Sequence, residues 1–303
     1  MSAARYGAVR HEDGSVRRAP PDGPGHHEHA TDDEDGTVTD DLKAELLSLA
    51  LEAAHKAGAL LRDGRPEDLG VAATKTSPID VVTEMDLASE KLITDFLGDH
   101  RPEDGFLGEE GASSPGSSGV RWVIDPIDGT VNYLYGRPDW AVSIAAEYAG
   151  ERVVGVVAAP VRGETCHAVL GEGAWRGERR LRCRPSPPLD QALIGTGFGY
   201  VAGRRAAQAE VARALLPRVR DIRRCGSAAI DLCDVAAGRL DGYYERGLHP
   251  WDMAAGDLIA REAGARTGGR GAAAPDGELT LAASPGVFDA LHPLLEELGA
   301  WHD

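Results

Sequence analysis

The sequence predicts an α/β fold, with an antiparallel sheet first and a mixed sheet after it. Two patterns carry that expectation. Alternating apolar runs at 140–147, 152–160, 164–170 and 173–182, punctuated by turn residues, read as a meander of antiparallel strands. From Ala192 onward, strand-like and helix-like segments alternate, which marks a mixed α/β region. A chain of 303 residues that is 42% hydrophobic can build a real core, in one large domain or two modest ones.

Residues 1–40 stand apart. They are rich in Gly, Pro, Asp, Glu and His and nearly devoid of large apolar side chains. Such a segment cannot offset its own ordering entropy, so a disordered tail is expected. The cluster His26, His27, Glu28 and His29 suits metal binding by composition. A solvated tail is the simpler reading, there and for the acidic run 32–35. The remainder is expected to divide into an N-terminal half, 41–185, and a C-terminal half, 186–303. The first helix starts at the cap signal of Asp40 and Asp41 and carries Leu42, Leu46, Leu49, Ala53 and Leu60 at helical spacing. It should end near Asp63 and Gly64. A second helix runs from about Glu84 to Gly98 and should bury Leu87, Leu92, Ile93 and Phe96. A short apolar strand precedes Glu109 and Glu110, and a polar loop, 111–119, follows. Trp122, Val123 and Ile124 end a buried strand that Pro126, lacking a ladder donor, is expected to stop. After the meander, 192–198, 241–245 and 280–284 read as strands. Helices are expected at 204–219, 227–237, 252–264 and 286–298.

The formal net charge of −17 argues against a surface built to grip nucleic-acid phosphates. Cys166, Cys183, Cys225 and Cys233 form no CxxC pair, which fits reduced, mostly buried thiols and a cytoplasmic setting. No run of about 18 apolar residues predicts a membrane span. The N-terminus lacks the apolar stretch of a secretory signal.

The densest chemistry lies in WVIDPIDGTVNY, 122–133. Asp125 and Asp128 are thrown out at a strand end, where ligands of α/β proteins usually sit. Hard oxygen donors that close together suit Mg²⁺. Gly129 lets the backbone approach an anion. Thr130 adds a hydroxyl and, if a helix begins there, N–H groups for a phosphate. Four other segments hold polar groups: Lys75, Ser77, Asp80, Thr83 and Asp86 in 74–86; Glu109 and Glu110 in 107–111; Gly226 and Ser227 before a helix; and Asp252 after Pro250 and Trp251. Singly, each has a plain reading. Asp86 suits the first turn of a helix, Asp252 an N-cap, and paired acids a wet surface.

Together these segments resemble the inositol monophosphatase family. The resemblance is carried by KTSPIDVVTEMD at 75–86, GEE at 108–110, WVIDPIDGTVNY at 122–133 and WDMAAGDLIAREAGA at 251–265, in the family's order, from about residue 42 onward. GTGFGY (195–200), DIRRCGSAAIDLC (221–233) and GRLDGYYERGLHPWD (238–252) are most similar to the bacterial inositol-1-monophosphatase branch. The resemblance implies a sandwich of alternating helix and sheet layers with the site between the two halves. It implies two to three Mg²⁺ ions: one held by Glu109, Asp125 and the Ile127 carbonyl, a second by Asp125, Asp128 and Asp252, and a weaker third placed through Glu109. It implies that Thr130 and Asp86 form the pair that orients and deprotonates the attacking water. Gly129 and Thr130 would offer N–H groups to the phosphate. Ser227, Ala228 and Glu245 would meet the hydroxyl-rich part of the substrate, which Glu109 and Asp252 also border. Lys75 would lie in a mobile loop beside the metals. A homodimer and inhibition by Li⁺ are implied as well. Tyr133 stands where the family usually has Phe, and the region after Ala265 says nothing about substrate.

The expected activity is therefore Mg²⁺-dependent hydrolysis of myo-inositol 1-phosphate, a small-molecule phosphate monoester. The first rival keeps the chemistry and changes the substrate to fructose 1,6-bisphosphate, 3′-phosphoadenosine 5′-phosphate or histidinol phosphate. A second is a role in a transcription complex, through the basic stretch Arg204, Arg205, Arg213, Arg218, Arg220, Arg223 and Arg224. A third is an inactive scaffold, which the complete ligand set disfavours.

Overall fold

Local signals set the first helix, α1 (Asp40–Asp63). The Thr39 hydroxyl accepts from Leu42 N at 3.2 Å, and Asp40 and Asp41 occupy the first turn, where acids favour the helix dipole. Gly64 ends it, donating its N–H to Leu60 O at 2.8 Å. Its buried stripe, Leu46, Ala50, Ala53, Ala54, Ala57 and Leu61, is mostly small, so the helix packs close to its neighbours. The computed structural model describes residues 38–75, 78 and 80–301. The expected tail lies outside the described residues except for 38–40, and so do its histidine cluster, its acidic run and Ser77.

β1 (Ala73–Thr74) and β2 (Val81–Val82) pair antiparallel, and the turn between them carries Lys75. α2 (Glu84–His100) opens with a capping box between Thr83 and Asp86. Its buried residues are Met85, Asp86, Ser89, Glu90, Ile93 and Leu97. Leu87, expected inside, is 50% exposed. The helix turns Asp86, Ser89 and Glu90 inward instead, because polar partners meet them there. Leu92 and Phe96 pack at the margin of the core.

Then come β3 (Gly105–Gly108), β4 (Ser113–Ser114), β5 (Val120–Asp128), the short α3 (Thr130–Leu134), β6 (Ala141–Tyr148), β7 (Glu151–Ala159), β8 (Glu164–Val169), β9 (Gly173–Arg176) and β10 (Arg179–Arg180). The strands form one sheet in the order β10-β9-β8-β7-β6-β5-β3-β4. The meander from β5 to β10 is antiparallel throughout, and only β3 runs parallel to its neighbour β5. β5 does not stop at Pro126 as expected. It continues to Asp128, and its register against β6 shifts between Asp125 and Asp128. An irregularity of this kind tolerates a residue that cannot donate to the ladder.

The remaining elements are β11 (Leu193–Thr196), α4 (Ala202–Leu215), β12 (Asp221–Arg223), α5 (Ala228–Ala236), β13 (Gly242–Glu245), α6 (Pro250–Glu262), β14 (Arg266–Gly268), β15 (Thr280–Ala283) and α7 (Pro285–Glu297). The second sheet has the order β12-β11-β13-β15-β14. β11 runs parallel to β12 and β13, and the other pairings are antiparallel, so the sheet is mixed. β12 and β14 were not expected; each is too short to show alternation.

Alternation along the strands separates the layers. Trp122, Ile124, Val142 and Ile144 pack with α1 and α2, whereas Val123, Ala141, Ala145 and Val157 pack with α5 and α6. Leu232, Val235, Met253 and Ala260, on other sides of α5 and α6, meet Tyr243 and Ala282 of the second sheet. α4 and α7 cover its far face through Val211, Leu215, Val287 and Leu291. The layers thus alternate helix, sheet, helix, sheet, helix. α5 and α6 are apolar on nearly every side because each lies between two sheets.

Candidate active site

The bulged end of β5 brings Asp125, Ile127 and Asp128 to the mouth of a cavity of about 400 Å³. Glu109 enters from the turn after β3, Asp252 from the first turn of α6, Glu245 from the end of β13 and Lys75 from the turn after β1. Gly129, Thr130 and Ala228 complete this part of the wall. Gly129 adopts φ 97°, and a Cβ there would come within 3.0 Å of Asp139 O and 3.1 Å of Gly226 O. Any side chain would therefore strain the backbone and crowd it.

Asp86 and Ser227 do not line the cavity but stand directly behind it. Thr130 Oγ1 lies 3.0 Å from Asp86 Oδ1 and 3.1 Å from Ile127 O. Asp86 Oδ2 accepts from Thr83 N at 2.8 Å and Thr83 Oγ1 at 2.6 Å. Burial pushes the Asp86 carboxyl above its ordinary value; hydrogen bonds from Thr83 and Thr130 oppose this, and the Glu109 charge adds to it. Ser227 Oγ donates to Asp128 Oδ2 at 2.6 Å and also caps α5. Ala229 N reaches the same oxygen at 2.7 Å, and Ala228 N reaches Oδ1 at 3.3 Å. The N-terminus of α5 thus steadies an anion, as helix N-termini do. Asp252 is not the N-cap that its position suggested. It is the third residue of α6 and reaches back to the cap residue His249, whose N–H donates to Asp252 Oδ2 at 2.6 Å. Asp86 plays the same part for α2, so both acids serve their helices and the site.

The electrostatics are strained in one direction. Burial raises Asp125 well above its ordinary value, with the charges of Glu109, Asp128 and Asp252 adding to it. Asp252 is likewise raised by burial and by Glu109 and Asp128. Asp128 is pushed up to about 6, mainly by burial, despite its hydrogen bonds. Glu245, which accepts from Tyr243 Oη at 2.6 Å, is raised by burial to about 7. The Lys75 ammonium bridges Glu109 at 2.8 Å and Glu110 at 2.7 Å. Burial works against that ammonium, but the two carboxylates outweigh it and raise its pKa.

Among the described residues no three acidic, His or Cys side chains form a ready-made metal cage. The donor chemistry nevertheless fits a hard divalent cation. Carboxylates from distant segments meet at one wall beside Ile127, and each carboxylate has more lone pairs than its protein donors use. A cation would offset the burial and mutual repulsion that raise the pKa values of Asp125, Asp128 and Asp252.

The wall also includes Tyr200, His249 and Trp251, to which the sequence assigned no role, and Arg224, which it assigned to a partner surface instead. Their signal was adjacency to Ser227 and Asp252, and to the glycine-rich strand end at 195–200. Within the basic stretch expected as a partner surface, Arg213 pairs with Glu210, Arg218 with Glu297 and Arg223 with Asp221, while Arg204 and Arg224 line the cavity. No described helix is long and apolar enough to cross a membrane. The cysteines are free, two buried and two half-buried.

The model of the inositol monophosphatase family matches residues 42–299. The chain is 45% identical over 282 residues to the inositol-1-monophosphatase of Mycobacterium bovis, covering 86% of this chain and 96% of that protein. It is 42% identical over 221 residues to the Nus factor SuhB of Pasteurella multocida, covering 72% and 83% respectively. Among solved structures, the extragenic suppressor protein suhB of Bartonella henselae superposes with a TM-score of 0.78 at 37% identity, covering 84% of this chain and 99% of that one. Sequence, layered fold and converging carboxylates agree: the chain belongs to the inositol monophosphatase family and is a phosphatase.

Proposed function

We propose that the cavity hydrolyses myo-inositol 1-phosphate with two to three Mg²⁺ ions. The observation that carries this reading is the meeting of Glu109, Asp125, Asp128 and Asp252 at one wall, with Asp125, Asp128 and Asp252 raised by burial and by neighbouring charge. Glu109, Asp125 and the Ile127 carbonyl would hold one ion, and Asp125, Asp128 and Asp252 a second, with Glu109 helping to place a third. When bound, Mg²⁺ would neutralise the phosphate oxygens and lower the pKa of water at the site.

The protein's own groups supply the rest. The Thr130 hydroxyl donates to Asp86, so its lone pairs are available to a water molecule in the cavity. A proton leaving that water passes to Thr130 as the Thr130 proton moves to Asp86 Oδ1. Burial makes Asp86 a better base than an exposed carboxylate, closer to the pH at which a general base works well. Gly129 and Thr130 would present N–H groups to the phosphate. Glu245 would accept hydrogen bonds from the inositol hydroxyls, beside Ala228 and in front of Ser227. Lys75 would hold Glu109 in place until the ions arrive. A homodimer, a cytoplasmic location and Li⁺ inhibition belong to the same reading.

Steady-state turnover of myo-inositol 1-phosphate, fructose 1,6-bisphosphate, 3′-phosphoadenosine 5′-phosphate and histidinol phosphate, with and without Mg²⁺, tests it. The inositol ester should give the highest kcat/KM, and chelation should abolish turnover. Equal rates without Mg²⁺ would sink the metal roles; preference for another ester would sink the substrate.

A further inference from the structure

Glu90 is a buried carboxylate, only 6% exposed, and no Lys or Arg pairs with it among the described residues. Its charge is met by backbone instead. Oε2 accepts from Glu110 N at 2.8 Å, and Oε1 accepts from Ala112 N at 2.9 Å. A charge buried this way is costly unless its hydrogen bonds are well made, so the geometry of the 108–112 turn is tightly prescribed. Gly108 admits the carboxylate, since a Cβ there would collide with it. Two further bonds close the turn: Gly108 N to Ala112 O at 2.7 Å, and Glu109 N to Ile124 O at 3.2 Å. Glu109 lies between these ties, one residue from the Glu110 N–H that Glu90 holds and beside the strand that carries Asp125.

The same face of α2 reaches two more parts of the site. Asp86 bonds Thr130, and Ser89 Oγ donates at 3.2 Å to Pro126 O, between the two aspartates of β5. Residues 86, 89 and 90 share one helix face by their spacing.

We infer that Glu90 is a positioning residue for the cation-binding carboxylate Glu109, which it aims by clamping the 108–112 turn. The inference rests on the reading of Glu109 as a metal ligand given above. It implies that α2 sets the spacing of the metal-binding carboxylates without touching a cation.

The test is calorimetric titration of the metal-free protein with Mg²⁺, alongside thermal unfolding without metal and turnover against Mg²⁺ concentration. In Glu90→Gln the amide oxygen replaces one acceptor while its NH₂ confronts the other N–H. The Mg²⁺ dissociation constant should rise on the order of 10- to 100-fold, as for other residues that orient a ligand. Turnover at saturating Mg²⁺ should stay within about threefold, because the aimed carboxylate is recovered once the ion binds. Gly108→Ala pushes the same carboxylate from the turn side and should weaken Mg²⁺ binding likewise, which keeps the test open should Glu90→Gln fail to fold. Ile93→Val, in the core on the same helix, should lower the melting temperature and leave the Mg²⁺ constant unchanged. A folded Glu90→Gln protein that binds Mg²⁺ like the wild type overturns the inference, even if it melts lower. If Asp125→Asn also binds Mg²⁺ like the wild type, the reading of the metal site has failed, and the positioning role with it.

Discussion

Glu245→Gln should stabilise the metal-free protein at pH 8 and have almost no effect at pH 4. The carboxylate is packed against Gly197, accepts from Tyr243 Oη and is raised by burial from 4.5 to about 7. A carboxyl raised in the folded state favours folding while it is protonated. That benefit is complete below the unfolded value of 4.5 and is lost as pH climbs through about 7. A shift of this size corresponds to about 3 kcal/mol. The glutamine keeps the shape and the acceptor for Tyr243 but does not ionise. Its advantage over the wild type should therefore grow from near zero at pH 4 to about 3 kcal/mol at pH 8. For a protein of this size that is roughly 5 °C in melting temperature. Calorimetric melting in EDTA across pH 4–8 measures it. An advantage independent of pH would refute the charge-burial argument, and so would a variant that melts below the wild type at pH 8.

Mg²⁺ should raise the melting temperature of the wild type at pH 8, with about 2.7 kcal/mol of stabilisation at a hundredfold excess over the dissociation constant; an unchanged scan counts against cation relief of the carboxylate cluster. Asp125→Asn should lower kcat by more than about a thousandfold, because Asp125 is assigned to both ions; the readout is phosphate release at saturating Mg²⁺. Thr130→Ala and Asp86→Asn should each lower kcat by roughly 100- to 10,000-fold with little change in KM, and the double variant should be little worse than either. Additive losses in that comparison would separate the pair. Ser227→Ala removes both the cap of α5 and a 2.6 Å hydrogen bond to Asp128. It should cost about 1–2 kcal/mol in urea unfolding, with Asp128 raised further because a bond to its charged form is lost.

Much of the fold was legible along the chain because its causes are local. Alternating Val and Ala runs fixed β6, β7 and β8 to within a residue or two, and the acids Asp40 and Asp41 marked the start of α1, although its cap is Thr39, one residue earlier. The site motif was legible for the same reason: Asp125, Asp128, Gly129 and Thr130 are neighbours in sequence, and their chemistry is visible as a string. What the chain alone misjudged was decided by partners far away. Leu87 faces outward because Glu90 finds the N–H groups of Glu110 and Ala112, twenty residues on. β5 passes Pro126 because β6 accommodates the register shift. Asp128 acquires its three donors from α5, a hundred residues later. Sequence thus determined most of the elements and the residue types of the motif at 122–133. Tertiary structure alone decided which charges share one wall, because pKa shifts, clamps and cavities arise from proximity in space, which periodicity does not encode.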